Sequence, residues 1–119
     1  MTKFGKTTRK GKFVMDENKL HLEKLLESGE SSKVADTLLY IAYNISDMEW
    51  SEKQLMRMAN DPDDDISGLA LTCLGHLARV NGKINRDIVI PFLRGKMENS
   101  NEIVSSRAED ALDDINMFT

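Results

Sequence analysis

The chain has little of what staples a fold together. It holds a single cysteine, Cys73, in 119 residues. One thiol excludes an internal disulfide, which fits a reducing compartment, and it excludes the paired-cysteine motifs. Period-two alternation of apolar and polar residues is missing, which argues against strands. No run approaches the roughly 18 apolar residues of a membrane span. No apolar segment follows the basic N-terminus as it would in a secretory signal. Together these absences predict a cytoplasmic protein with no membrane partner. A Gly-rich phosphate loop and a His–carboxylate–nucleophile arrangement are also lacking in the linear order. The sequence therefore predicts no enzyme and no cofactor.

What is present suffices for one core: 40% of the residues are hydrophobic and 30% charged. The formal net charge of −4 hides an asymmetry. Residues 1–15 carry five bases (Lys3, Lys6, Arg9, Lys10, Lys12) and no acid. Residues 16–119 hold the other eleven bases and all twenty acids. This divides the chain into a basic, flexible N-terminal arm, 1–15, and one acidic domain, 16–119. The arm reads as a solvated tail that can fold back on the acidic body, or as a nucleic-acid contact. The acidic body opposes direct nucleic-acid binding, because attraction to phosphate dominates such binding. A basic protein would instead be drawn to it.

Period-3.6 patterns recur throughout. "DENKLHLEKLLESG" has Asp16 as a capping acid and stops at Gly29. "SSKVADTLLYIAYN" offers Ser31 or Ser32 as a cap and sets Val34, Ala35, Leu38, Leu39 and Ala42 on one face. "WSEKQLMRMAN" offers Ser51 as N-cap, and "SGLALTCLGHLARV" stops at "NGK". "NRDIVIPFLRGKM" is capped by Asn85 or Asp87, with Pro91 in or near its first turn. A last helix starts near Ser105. With Ser32, Ser67 and Ser105 in register, Ala35, Ala70 and Ala108 coincide. So do Leu38, Cys73 and Ala111; Leu39, Leu74 and Leu112; and Ala42, Leu77 and Ile115. Leu55 falls with Leu93, Ala59 with Met97, and Ile66 with Val104. A repeating helix pair cannot bury its apolar faces alone and must stack on its neighbours.

The pattern "ALTCLGHLARV…DIVIPFLRGKMEN…IVSSRAEDALDDI" resembles HEAT repeats over residues 32–117. The resemblance is carried by the alanine and leucine spacing of the first helix, the "VIP.L" opening of the second, and an Asp-rich loop running into an aliphatic residue. The first unit lacks the proline of its second helix. The basic residue after the loop is present only as Arg107, with Ser67 and Gly68 standing there in the preceding unit. The resemblance implies an all-α, short HEAT-like α-α superhelix (solenoid) of two to three helical hairpins. "CLGHLAR" with the terminal "RAEDALDDI.MF" further resembles small bacterial HEAT-like proteins encoded beside polymorphic toxins, among them immunity proteins of contact-dependent growth inhibition. That likeness implies a protein that binds and neutralises a toxin domain, often a basic nuclease. A generic intracellular HEAT-like adaptor with a cellular protein partner is the alternative, since fold alone does not set function.

The candidate partner-binding residues divide into three groups. Asp63, Asp64 and Asp65, in "DPDDDISGLALT", precede a helix, where carboxylates cap free N–H groups. Calcium is excluded by Ile66 and Thr72 at the positions where an EF-hand loop needs glycine and glutamate. The surplus aspartates read either as structural capping alone or as charge shown to a basic partner. Glu109, Asp110, Asp113 and Asp114 form a second cluster. Asp113 and Asp114 come late in their helix, where negative charge opposes the dipole. They read as a solvated polar cap on the stack or as partner contacts. Tyr40, Tyr43 and Trp50 are off-stripe aromatics that either anchor an interface or pack on a neighbouring layer. His76 flanks the stripe as an edge or interface residue. Neither it nor His21 has a metal or triad partner in sequence. Cys73 lies on the buried stripe.

Overall fold

The computed structural model describes the backbone of residues 11–119 and the side chains from Lys19 onward. Six α-helices follow one another: α1 (Gly11–Leu26), α2 (Ser31–Asn44), α3 (Met48–Met58), α4 (Asp64–Asn81), α5 (Arg86–Met97) and α6 (Glu102–Phe118). No strand occurs among the described residues, so the fold is all-α. Of the expected N-terminal arm, residues 1–10 lie outside the described residues, and residues 11–15 are already helical. Asp16 is thus inside α1 rather than at its cap, since no Gly or Pro interrupts the chain from Lys12 to Ser28.

The helix ends have identifiable causes. Asp63 accepts hydrogen bonds from the N–H groups of Asp65 (2.9 Å) and Ile66 (3.4 Å) and starts α4. Gly82, at φ +68°, ends that helix by donating its N–H to the Ala78 carbonyl at 2.8 Å. Asn101 starts α6 by accepting from Ile103 (2.9 Å) and Val104 (3.2 Å), which moves its beginning from the expected Ser105 back to Glu102. At α3 the cap is Asp47, accepting from the Trp50 N–H at 3.1 Å, and Ser51 is instead a fully buried residue within the helix. The cap position of α2 is Glu30, without a side-chain bond, so neither Ser31 nor Ser32 has that task. Asn85 likewise caps α5 with no side-chain bond of its own. The buried Glu52 of α3 reaches across and accepts the Asn85 N–H at 2.9 Å, fastening the start of α5 to α3. Pro91 falls in the second turn of α5, past the position where its missing N–H costs nothing.

Helix α4 is the centre of the packing. It touches α2, α3 and α6, and α5 rests on α6 and α3. Leu71, Leu74 and Leu77 are fully buried, as are Leu38 and Ile41 of α2, Leu55 of α3, Leu93 of α5 and Ile115 of α6. Most aligned inner positions face this core: Ala70 and Ala108; Leu38, Cys73 and Ala111; and Ala42, Leu77 and Ile115 are all buried. Leu39 departs from the pattern at 36% exposure, because α2 turns Ile41 and Ile45 inward instead. The aligned serines do not share surroundings. Ser32 is exposed, Ser67 is buried and donates to the Ala59 carbonyl at 2.6 Å, and Ser105 donates to the Glu102 carbonyl at 3.4 Å. The inner stripe repeats, then, but the turn chemistry does not.

Two glycines let α4 and α6 approach. A Cβ at Gly75 would lie 3.2 Å from the Ala111 Cα and 2.7 Å from an Asp114 carboxylate oxygen. One at Gly68 would lie 3.0 Å from the Ile103 Cγ2. Early meets early and late meets late, so the two helices run parallel. At Gly75 the obstacle includes backbone, which cannot turn aside; at Gly68 it is the end of a side chain, which can. We expect Gly75→Ala to destabilise by about 1–3 kcal/mol, as overpacking does, and Gly68→Ala to cost less. Urea unfolding of the two variants checks the order.

Candidate partner-binding surface

The structure scatters some of the sequence candidates and gathers others. Trp50 is half-buried against the core and donates its indole N–H to Glu23 at 2.8 Å, which ties α3 to α1. Lys19–Asp47 (2.5 Å) and Arg57–Glu27 (3.5 Å) bind the same two helices. Trp50 is thereby occupied in holding α1. Tyr40 lies over a cleft of about 330 Å³ with His21, Leu22 and Leu25 of α1. The turn acids are partly spent. Asp63 is the cap, Asp61 accepts the Asp63 N–H at 2.9 Å, and Asp64 accepts from the Asn101 side chain at 2.7 Å. Asp65 stays exposed, at the edge of a cleft of about 400 Å³ with Thr72, Ile103 and Arg107.

The gathered residues come from three helices. Tyr43 of α2 and His76 of α4 pair their rings, with centroids 5.3 Å apart and planes tilted by 32°. Arg79, one turn along α4, places its guanidinium on the His76 Nδ1 at 2.5 Å. An acceptor Nδ1 requires the neutral ring with its proton on Nε2. Asp114 of α6 rests against Gly75, and its charge acts on His76. Asp110 is exposed one turn earlier on α6, while Glu109 and Asp113 are exposed and angled away by the helical spacing. None of these four α6 carboxylates is paired with a basic group of the described residues.

The sequence reading missed one feature. An apolar groove of about 530 Å³ runs between α3 and α5, lined by Met48, Met56, Ile84 and Ile88 and edged by Glu49, Lys53 and Lys83. Met48, Glu52 and Met56 at i, i+4, i+8 were its one local trace, and the α5 wall is invisible without the fold. The described residues contain no cluster of three or more ligating side chains that would hold a metal ion.

Two ionisable groups show what their surroundings prefer. Burial lowers the pKa of His76 below its usual 6.5, the Arg79 charge lowers it further, and Asp114 pulls the other way. A depressed folded-state value means that the stability contribution is complete above 6.5 and is lost as pH falls through that value. We expect an NMR titration midpoint for His76 below 6.5, and a flatter pH dependence of stability in that window for His76→Gln. Burial pushes the Cys73 thiol up to about 12. Its labelling by a thiol reagent at neutral pH should follow global unfolding.

No model of a known protein family matches the chain, and no curated protein does. A solved structure does: a chain in the crystal structure of a CDI (contact-dependent growth inhibition) complex from Cupriavidus taiwanensis LMG 19424. The two are 31% identical, the match covers 99% of this chain and 94% of that one, and the TM-score is 0.75. With that identity over almost the whole of both chains, the protein belongs to the same family, the immunity proteins of contact-dependent growth inhibition systems.

Proposed function

We propose that this immunity protein neutralises its cognate toxin by setting a carboxylate-rich helical surface against a basic, nuclease-type toxin domain. As a member of its family it acts by binding and is not an enzyme. The observation that carries the proposal is the α6 cluster: Glu109, Asp110, Asp113 and Asp114, none of which forms a salt bridge within the described residues. Asp113 and Asp114 also stand in the second half of α6, against the helix dipole. Local stability gives no reason for such an arrangement, whereas a cationic partner does. A nuclease groove built for phosphate is lined with Lys and Arg, and carboxylates held on a rigid helix are a counter-surface for it. Of the other sequence candidates, Asp65, Tyr43 and His76 lie on the same α2–α4–α6 side. Asp63 and Asp64 stand at the start of α4, while Tyr40 and Trp50 face α1.

We read the scaffold as a short HEAT-like stack of two to three hairpins. The parallel run of α4 and α6, the order α2–α4–α6 in space, and a least extent of 16 Å against a longest of 55 Å support that reading. We take residues 16–119 as one domain and the basic segment 1–15 as its arm. The cytoplasm is where a nuclease toxin would meet nucleic acid, and we place the protein there. No helix among the described residues is long and apolar enough to cross a membrane.

Carboxylates displayed in this way steer encounter, while apolar and aromatic contacts slow dissociation. We expect raising the ionic strength to lower the association rate with the cognate toxin domain by about tenfold or more, with little effect on dissociation. Glu109→Gln/Asp113→Asn should lower the association rate in the same direction. Stopped-flow mixing measures both, and an association rate indifferent to salt and to the double substitution would remove the steering mechanism.

A further inference from the structure

We propose that the junction of Tyr43, His76 and Asp114 is a receptor for one arginine side chain of the partner. This rests on the reading of the partner as basic, and it adds a specific residue chemistry at a specific place. The junction has the two elements that recognise a guanidinium. One is an open π-face: Tyr43 is 48% exposed and paired with His76 rather than covered. The other is a carboxylate of the neighbouring helix, held against Gly75, the residue before His76. Asp114 is partly buried, is fixed by the close approach of α6 to Gly75, and forms no salt bridge within the described residues. Three helices supply the parts, so the rigid stack sets their spacing.

The charges around the junction favour arginine. A planar guanidinium stacks on a ring and offers two parallel N–H groups to a carboxylate, which the compact ammonium of lysine cannot do. Arg79 already meets the edge of this ring pair, donating to the His76 Nδ1 in the ring plane and leaving the ring faces to other contacts. That contact fits the tautomer with its proton on Nε2. Arg79 also places a positive charge at the rim, which an incoming arginine must tolerate. Asp110, one turn from Asp114, adds negative charge on the same helix. The junction thus combines an aromatic pair from α2 and α4 with carboxylates of α6.

The test uses the full chain and a tri-arginine peptide, followed by NMR at the ring resonances of Tyr43 and His76. Tri-lysine and tri-citrulline peptides serve as the charged and neutral controls. We expect saturable shifts with tri-arginine, weaker binding of tri-lysine and none of tri-citrulline. Asp114→Asn and Tyr43→Leu should each weaken the tri-arginine peptide by about tenfold, which is about 1.4 kcal/mol. Arg79→Gln should tighten it, because a competing charge is gone. In the peptide assay, two results would overturn the proposal: shifts spread evenly over the acidic residues, or Asp114→Asn having no more effect than Asp113→Asn. The peptide assay needs no toxin, so the two readings fail separately. Salt-independent toxin association with intact tri-arginine binding would remove the steering mechanism and leave the receptor. Toxin dissociation unchanged by Asp114→Asn and Tyr43→Leu would remove the receptor and leave the steering.

Discussion

The close contact of α4 with α6 at Gly75 is the constraint from which the rest of the surface follows. A helix pair separated by ordinary side chains would place Asp114 farther from α4, beyond useful reach of His76. With only a hydrogen where a Cβ would stand, Ala111 backs onto α4 and the Asp114 carboxylate lies along it. The same contact buries Ala108, Ala111 and Ile115 and orients every remaining residue of α6 by helical spacing. Core packing and the display of charge are thus consequences of one approach distance. Interiors are close-packed, so a shift at this point would be carried to both.

The carboxylates of the chain do two kinds of work, and the structure separates them by position. Those ahead of helices or between them are engaged internally. Asp47 and Asp63 cap α3 and α4, Glu52 takes the N–H of Asn85 just ahead of α5, and Glu23 holds Trp50. The Lys19 contact and the Trp50 N–H hold the Asp47 carboxyl below its ordinary 3.8, so that end of the molecule prefers the ionised form. The α6 carboxylates are engaged by nothing comparable. Surface ion pairs add little to stability, so leaving these four unpaired costs the fold little and leaves their field intact. A surface of this kind is well suited to raising the rate of encounter with a cationic protein.

The inner stripe was legible because burial imposes a 3.6-residue period that sequence spacing alone reveals. Ala70, Leu74 and Leu77 in α4 and Ala108, Ala111 and Ile115 in α6 sit where that period puts them. Leu39 was not legible, because the rotation of a helix about its axis depends on which neighbours cover it, and α2 is covered by α1 on one side and α4 on the other. The helix starts misread at Ser51 and Ser105 share a cause, Asp47 and Asn101 lying four residues upstream. Serine is acceptable at a cap and inside a helix alike, and an Asp or Asn a few residues upstream competes for the same N–H groups with a better acceptor. Of the site, Asp63 as a cap was readable from its local context. Trp50–Glu23 and Tyr43–His76 join residues far apart in sequence, and no local pattern encodes such pairs.

The position of α6 in the stack explains why the surplus charge is there rather than on α2 or α4. Helix α4 is enclosed by neighbours on three sides and shows water only a narrow strip. Helix α6 packs chiefly on α4 and α5, and Ser106, Glu109 and Asp113 on its outer side are exposed. A terminal helix of a stack needs a polar outer face to stay soluble, but neutral or mixed-charge residues would satisfy that need. Carboxylates without matching cations go further, because they lower the free energy of any complex that brings cations to them. Binding then stabilises the folded immunity protein by mass action, and the unfavourable dipole at Asp113 and Asp114 is relieved at the same time. The carboxylates that form no salt bridge within the described residues thus lie where a basic partner could pair with them.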